Sequence, residues 1–285
     1  MRVFETKYWA GDFECSAETP FKVELTLMQL TEQETSKVVQ ATKKRSTTVQ
    51  SVLYTAAAFA IESVFMLSSE EGGSAKEAIN CATVTCLRDK IPNPISRMDH
   101  GNYVFTPRQN GLYIREESSF WKITHDYRMQ ILGTVSTPQK VQELLEDLGL
   151  LNYLPNKASA WKDAMINRVG QVQHGREVSL MMSNIGIGWK RPVPTSSQFL
   201  VKDGIFSSSP IKTYGAFNMS IATVNGILSV VTAWDKAAFK ERARAELFVS
   251  EFKRILLEAA EDGRETYLFK DAKRLYDDNT TAVAL

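Results

Sequence analysis

Charge of one sign is what this 285-residue sequence lacks most clearly: 34 Lys+Arg face 33 Asp+Glu, a formal net charge of +1. Such a balance gives no long-range field to draw in nucleic acid. The basic run Lys43-Lys44-Arg45 is too short to supply one and reads as a solvated helix end. Cysteine is scarce as well. Three cysteines in a long chain argue against a disulfide framework and for a reducing, cytoplasmic compartment. No unbroken run of 18 apolar residues occurs. The stretch Val52–Leu67 comes nearest but is interrupted by Tyr54, Thr55, Glu62 and Ser63, so no transmembrane helix is expected. Met1-Arg2-Val3-Phe4-Glu5-Thr6-Lys7 lacks the apolar centre of a signal peptide.

Several chemistries lack their residues. The three histidines, His100, His125 and His174, stand at no pairwise ligand spacing, and there is no His-Glu-x-x-His. Cys81 and Cys86, five apart on a predicted strand, point to opposite faces. No metal is therefore expected. No phosphate-binding Gly-x-x-x-x-Gly-Lys-Ser/Thr is present, and Gly186-Ile187-Gly188 runs into Trp189-Lys190-Arg191-Pro192 instead of a helix. A nucleophilic Gly-x-Ser-x-Gly is absent too. His125 and Asp126 are neighbours on a predicted helix, diverging by roughly 100°, which disfavours a direct acid–base pair. His100 stands at a flexible corner before Gly101-Asn102, where an imidazole could face a cleft.

What is present fits a folded protein of ordinary make-up, 44% apolar and 24% charged. Phe21, Val23, Leu25 and Leu27 alternate with Lys22, Glu24 and Thr26, the period of a half-buried strand. Thr31-Glu32-Gln33-Glu34 is a capping box and opens a helix to about Thr42. Ser46, Thr47 and Thr48 cap a second helix, whose apolar stripe runs from Val49 to Val64 on a face of small alanines. A Glu/Gly/Ser loop follows over 68–74, then a strand over 79–87 ended by Pro92 and Pro94. Tyr103–Thr106 is a short strand candidate, and Phe120–Leu132 reads as a helix. Ser136-Thr137-Pro138 starts another, with Gly149 as its stop. Helical spacing recurs over 160–172, and strands are expected over 177–185 and 199–206. Asn225-Gly226, between Phe217–Thr223 and Ile227–Trp234, marks a β-hairpin. Asp235 is placed to cap a long last helix.

Strands and helices mixed without a regular βαβ period predict an α+β layered domain. The expected division is a linker-like segment over 1–20, one lobe over 21–262 and a partly ordered tail over 263–285. Ser183-Asn184-Ile185-Gly186 closes a strand with hydroxyl and amide groups that could be aimed at a ligand carbonyl or could merely cap a turn. Gly101-Asn102-Tyr103-Val104 presents the same choice.

The order of these segments resembles a known family. A Trp9-Ala10-Gly11 linker, the alternating strand, the Thr31-Glu32-Gln33-Glu34 helix and the helix opened by Ser46-Thr47-Thr48-Val49-Gln50-Ser51-Val52-Leu53 come first. A strand with Arg88, Asp99-His100-Gly101-Asn102-Tyr103-Val104, Ser183-Asn184-Ile185-Gly186 and the closing hairpin follow. Over residues 9 to about 260 this resembles the C-terminal lobe of the fungal alcohol O-acetyltransferase family, within the chloramphenicol-acetyltransferase-like and condensation-domain superfamily. The resemblance implies transfer of an acyl group from acetyl-CoA or another acyl-CoA to a small-molecule alcohol, in a tunnel between two lobes.

In that family a His-x-x-x-Asp motif on the N-terminal lobe supplies the general base. Four residues after His100, His125 and His174 stand Val104, Met129 and Val178, so no residue here inherits the role. Carried over as substrate-binding positions are Asn102, Tyr103, Ser183 and Asn184, where a hydroxyl or amide would help hold an oxyanion. The reading is thus an acyltransferase lobe without its base, whose missing partner is an N-terminal lobe or a second copy of the chain. Met1 leading straight into Tyr8-Trp9-Ala10-Gly11, like the middle of a loop, agrees with a truncated product, a partial gene model or one part of a two-chain enzyme. The alternative is a catalytically inactive binding or interaction module.

Overall fold

The computed structural model describes residues 7–16, 18–67, 77–90, 95–96, 99–101, 103–109, 111–149, 163, 166–167, 170–189, 201–261 and 266–274. Its centre is a mixed sheet built from β1 (Val23–Leu30), β2 (Cys81–Thr83), β5 (Val178–Trp189), β6 (Gly215–Val224) and β7 (Ile227–Asp235), in the order β1-β7-β6-β5-β2. β7 pairs antiparallel with both β1 and β6, whereas β5 runs parallel to both β6 and β2. Two short strands, β3 (Thr85–Cys86) and β4 (Val104–Phe105), form a separate ribbon. The expected strand over 79–87 is thus two pieces, with Val84 between them donating its N–H to Met182.

Helices α1 (Glu32–Lys44), α2 (Val49–Ile61) and α5 (Arg242–Ala259) gather on one side of the sheet, with α3 (Phe120–Thr134) against α2; α4 (Pro138–Gly149) follows α3 in the chain. The capping box at Thr31 forms as expected: its hydroxyl accepts from Glu34 N–H, and the Glu34 carboxylate accepts from Thr31 N–H at 2.8 Å. α2 is buried along nearly its whole length because its alanines let neighbouring elements approach closely, and it continues as a π-turn over Glu62–Met66. The 18 residues Val49–Met66 have a mean hydropathy of 1.4, enough by length and composition to cross a membrane, yet 89% of the run is buried inside the fold. The aromatic centre explains why: Phe217 stacks on Phe248 at 4.3 Å and on Phe239 at 4.6 Å, with Trp9 and Phe65 alongside.

Asn225 and Gly226 take positive φ values of 47° and 80°, the backbone of the turn that suits a twisted two-residue hairpin. Asp235 caps something shorter than the sequence suggests. Its carboxylate accepts from Ala237 N–H and starts a 3-10 turn over Lys236–Ala238; the long helix begins only at Arg242, and Phe239 is buried between the two. The strand expected at 199–206 is also corrected, because 201–211 carries no regular pairing. That segment is held by side chains instead: Ser208 N–H donates to the Ser220 hydroxyl, and Asn218 donates to Ser208 C=O. The loop expected over 68–74, and most of the helix expected over 160–172, lie outside the described residues.

Both ends of the described chain enter the core. Tyr8, Trp9 and Ala10 are buried, and the fully buried Arg176 guanidinium donates to the Ala10 and Phe13 carbonyls. At the other end Tyr267, Phe269 and Ala272 are buried, with Phe269 edge-on to Phe59 at 5.2 Å.

Candidate functional site

A cleft of about 420 Å³ opens between the start of α2, the β2–β3 segment, the exposed side of α3 and the far end of β5. That size suits a small-molecule ligand. Its walls divide by chemistry. Thr48, Gln50, Ser51, Thr83 and Asn184 present hydroxyls and amides, Ile131, Leu132 and Val84 present hydrocarbon, and Arg128 brings a charge.

Asn184 is fixed by a fault in the sheet. The β5–β6 register shifts between Asn184 and Ile187, a bulge that places Gly186 at φ +73°. Gly186 N–H then donates to Asn184 Oδ1 at 2.8 Å, so the amide nitrogen must face the other way. There Nδ2 donates to Gln50 Oε1 at 3.1 Å, while Gln50 Nε2 lies 3.6 Å from Met182 Sδ. Among the described residues Gln50 is the acceptor Asn184 Nδ2 has, which leaves its second hydrogen without a partner there. An added Cβ at Gly186 would meet nothing within 4 Å, so the glycine is required by its backbone angle rather than by space.

The opposite wall is braced from within. Thr48 caps α2 by accepting from Ser51 N–H, and its hydroxyl lies 2.7 Å from that of Ser51. Arg128 donates to Ser46 C=O and so ties α3 to the turn before α2. Its partner there is a neutral carbonyl, and no ion-pair partner for it is found among the described residues. Thr83 hydrogen-bonds the Tyr127 hydroxyl, and the Tyr127 ring stacks on Tyr54 at 3.8 Å. Burial pushes both phenols well above the ordinary tyrosine range, so Tyr127 serves Thr83 as a neutral partner.

The four expected site residues part company. Asn184 lines the cleft. Ser183, one residue earlier on the same strand, points to the other face of the sheet, where it pairs in register with Ser220. Tyr103 belongs to a brace around Arg88, whose guanidinium sits 4.3 Å over the ring and donates to the carbonyls of Ser96 and Asp99. Asn102 lies outside the described residues. Gln50, Thr48, Thr83 and Arg128 were not among the site residues expected from the sequence, although Thr48 was expected as a helix cap. Gln50 carried one usable signal: it is the one residue of α2 with an amide side chain. Among the described residues no histidine lines the cleft: His125 is exposed, and His174 Nδ1 sits 2.9 Å from Gly11 C=O.

Comparison with known proteins places this geometry. The fold is that of the condensation-domain group. The chain is similar to the cyclization-docking bidomain of EpoB from Sorangium cellulosum, with 12% identity, a TM-score of 0.55, and coverage of 90% of this chain and 45% of that one. It is similar to polyketide synthase associated protein 5 from Mycobacterium tuberculosis at 13% identity, TM-score 0.53, covering 86% and 54%. A condensation domain for chain release from the enacyloxin polyketide synthase matches at 10% identity, TM-score 0.53, covering 92% and 43%. The chain therefore spans about half the length of these structures or less. No curated protein matches. A family model described as alcohol acetyltransferase matches residues 12–256, and the chain belongs to that family.

Proposed function

We propose that this chain is one lobe of an acyl-CoA-dependent alcohol O-acyltransferase, with the cleft beside Asn184 as its contribution to the tunnel. Family membership supplies acyl transfer. The observation that carries the site is the Asn184 amide, held by Gly186 and Gln50 with one N–H left for an acyl oxygen. Such a donor, set in advance, stabilises the charge that develops on the carbonyl oxygen when an alkoxide attacks a thioester, by about 3 kcal/mol when well placed. The Arg128 guanidinium, without an ion-pair partner among the described residues, suits an anionic group such as a coenzyme phosphate, and Ile131, Leu132 and Val84 suit an alkyl chain. The general base must come from elsewhere, a second lobe bearing His-x-x-x-Asp. The unpaired cysteines, Cys15, Cys81 and Cys86, support a reducing, cytoplasmic setting.

The test is acetyl transfer from acetyl-CoA to a medium-chain alcohol, by this chain alone and after mixing with an N-terminal lobe of the family. The chain alone is expected to be inactive and the mixture active, with Asn184→Ala lowering the mixture's rate roughly 100-fold or more. Transfer by the lone chain, or a mixture indifferent to Asn184→Ala, sinks the assignment. A second reading is an inactive binding module of the same fold, supported by a cleft whose hydroxyls, amides and Arg128 can hold a ligand. It predicts that acetyl-CoA or the alcohol raises the melting temperature while no lobe restores transfer.

A further inference from the structure

β1 forms one edge of the sheet, and its apolar alternation faces the wrong way for a core strand. Val23, Leu25 and Leu27 are 37%, 54% and 41% exposed, whereas Met28 and Leu30, on the opposite face, are buried. Backbone direction adds to this. Lys236 N–H donates to Lys22 C=O across the β1–β7 ladder, so the even-numbered residues of β1 turn their peptide groups inward. The odd-numbered residues turn theirs to the open edge, as the Gln29 carbonyl confirms by accepting from Lys253 Nζ. The same three residues therefore offer exposed apolar side chains and outward peptide groups.

We infer that β1 is a docking edge for a second copy of this chain, the two strands pairing antiparallel about a two-fold axis at Leu25. In this register Leu25 faces Leu25 and each Val23 faces the other copy's Leu27. About six backbone hydrogen bonds then close the seam, and every exposed apolar side chain of the trio meets another. Charge selects this register over its neighbours. Centring the axis on Glu24 would set like carboxylates directly opposite, which is unfavourable. Centring it on Thr26 would set Val23 against Gln29, whose carbonyl Lys253 already occupies. Centred on Leu25, Glu24 faces Thr26 and Lys22 faces Met28. An open apolar edge of this kind, without proline or lysine between residues 23 and 27, is one that sheet proteins otherwise blunt. The inference rests on the strand alone and stands or falls separately from acyl transfer.

Sedimentation equilibrium of the 285-residue chain over about 1–100 µM tests it. The expected mass rises with concentration from 32.0 kDa toward twice that value. Leu25→Lys, at an exposed position, is expected to weaken dimerisation at least tenfold while circular dichroism stays unchanged. Thr26→Lys is expected to tighten it by setting a lysine opposite each Glu24, and Thr26→Glu to loosen it. A mass fixed at 32.0 kDa throughout, a dimer indifferent to Leu25→Lys, or Thr26→Lys and Thr26→Glu acting alike overturns the inference. So does a chain that stays monomeric and binds a separate N-terminal lobe through β1.

Discussion

Neighbouring cysteines in this chain live in opposite circumstances. Cys81 is buried beneath α3, with its sulfur 3.7 Å from the Tyr127 hydroxyl, and burial pushes its thiol up to about 12 from an ordinary 9.0. Cys86, on the cleft wall, is exposed. Iodoacetamide at mildly alkaline pH should therefore label Cys86 in the folded protein and Cys81 only after denaturation, read by peptide mass spectrometry. Rapid native labelling of Cys81 would contradict the packing. The same burial makes a pH prediction. Cys81, Tyr54 and Tyr127 hold their protons more tightly folded than unfolded, since desolvation raises all three. Their contribution to stability is complete below about pH 9 and is lost as pH rises toward 12. The urea midpoint should fall between about pH 8 and pH 10.5, and Cys81→Ala should reduce that fall; a flat profile would speak against it.

Local elements follow from local chemistry. Thr31 and Glu34 close their capping box through contacts three residues apart, so Thr31→Ala should cost about 1 kcal/mol in urea unfolding. An unchanged midpoint would mean that α1 is held by packing alone. Asn225-Gly226 was legible for the same reason: the turn demands positive φ, and its residues tolerate it. Where tertiary placement decides, sequence reading fell short. The alternation in β1 reported a strand but not which face would be covered, because α5, which covers it together with the adjacent α1, begins more than 200 residues away. Asp235 reported a cap but not that Phe239 would be drawn into the aromatic centre and delay the helix to Arg242. In the site, Ser183 and Asn184 appeared together as a polar pair. Strand geometry separates them, and Gln50, the partner that orients Asn184, lies 134 residues from it.

The whole molecule depends on residues near the end of the described chain. Phe269 and Tyr267 close over Phe59 and Phe120, and Ser63 and Arg274 hydrogen-bond in both directions. A chain ending at Asp262 should lose this cover, unfold at a clearly lower urea concentration and bind a hydrophobic dye; Phe269→Ala should do part of the same, at about 3–5 kcal/mol. A truncated chain with an unchanged midpoint would show the packing to be incidental.

One pairing has a consequence in time. Gln29 bonds Ser229, 200 residues further on, at the junction of β1 and β7. At roughly 5–20 residues per second on the ribosome, β1 waits on the order of 10–40 s for the strand that completes it. Throughout that interval it lacks its ladder partner β7, and its apolar residues lie open on a nascent chain. Of the five strands of this sheet β1 is thus made first and secured among the last, and the stretch from Phe21 to Leu30 is where a holding chaperone would find this protein during synthesis.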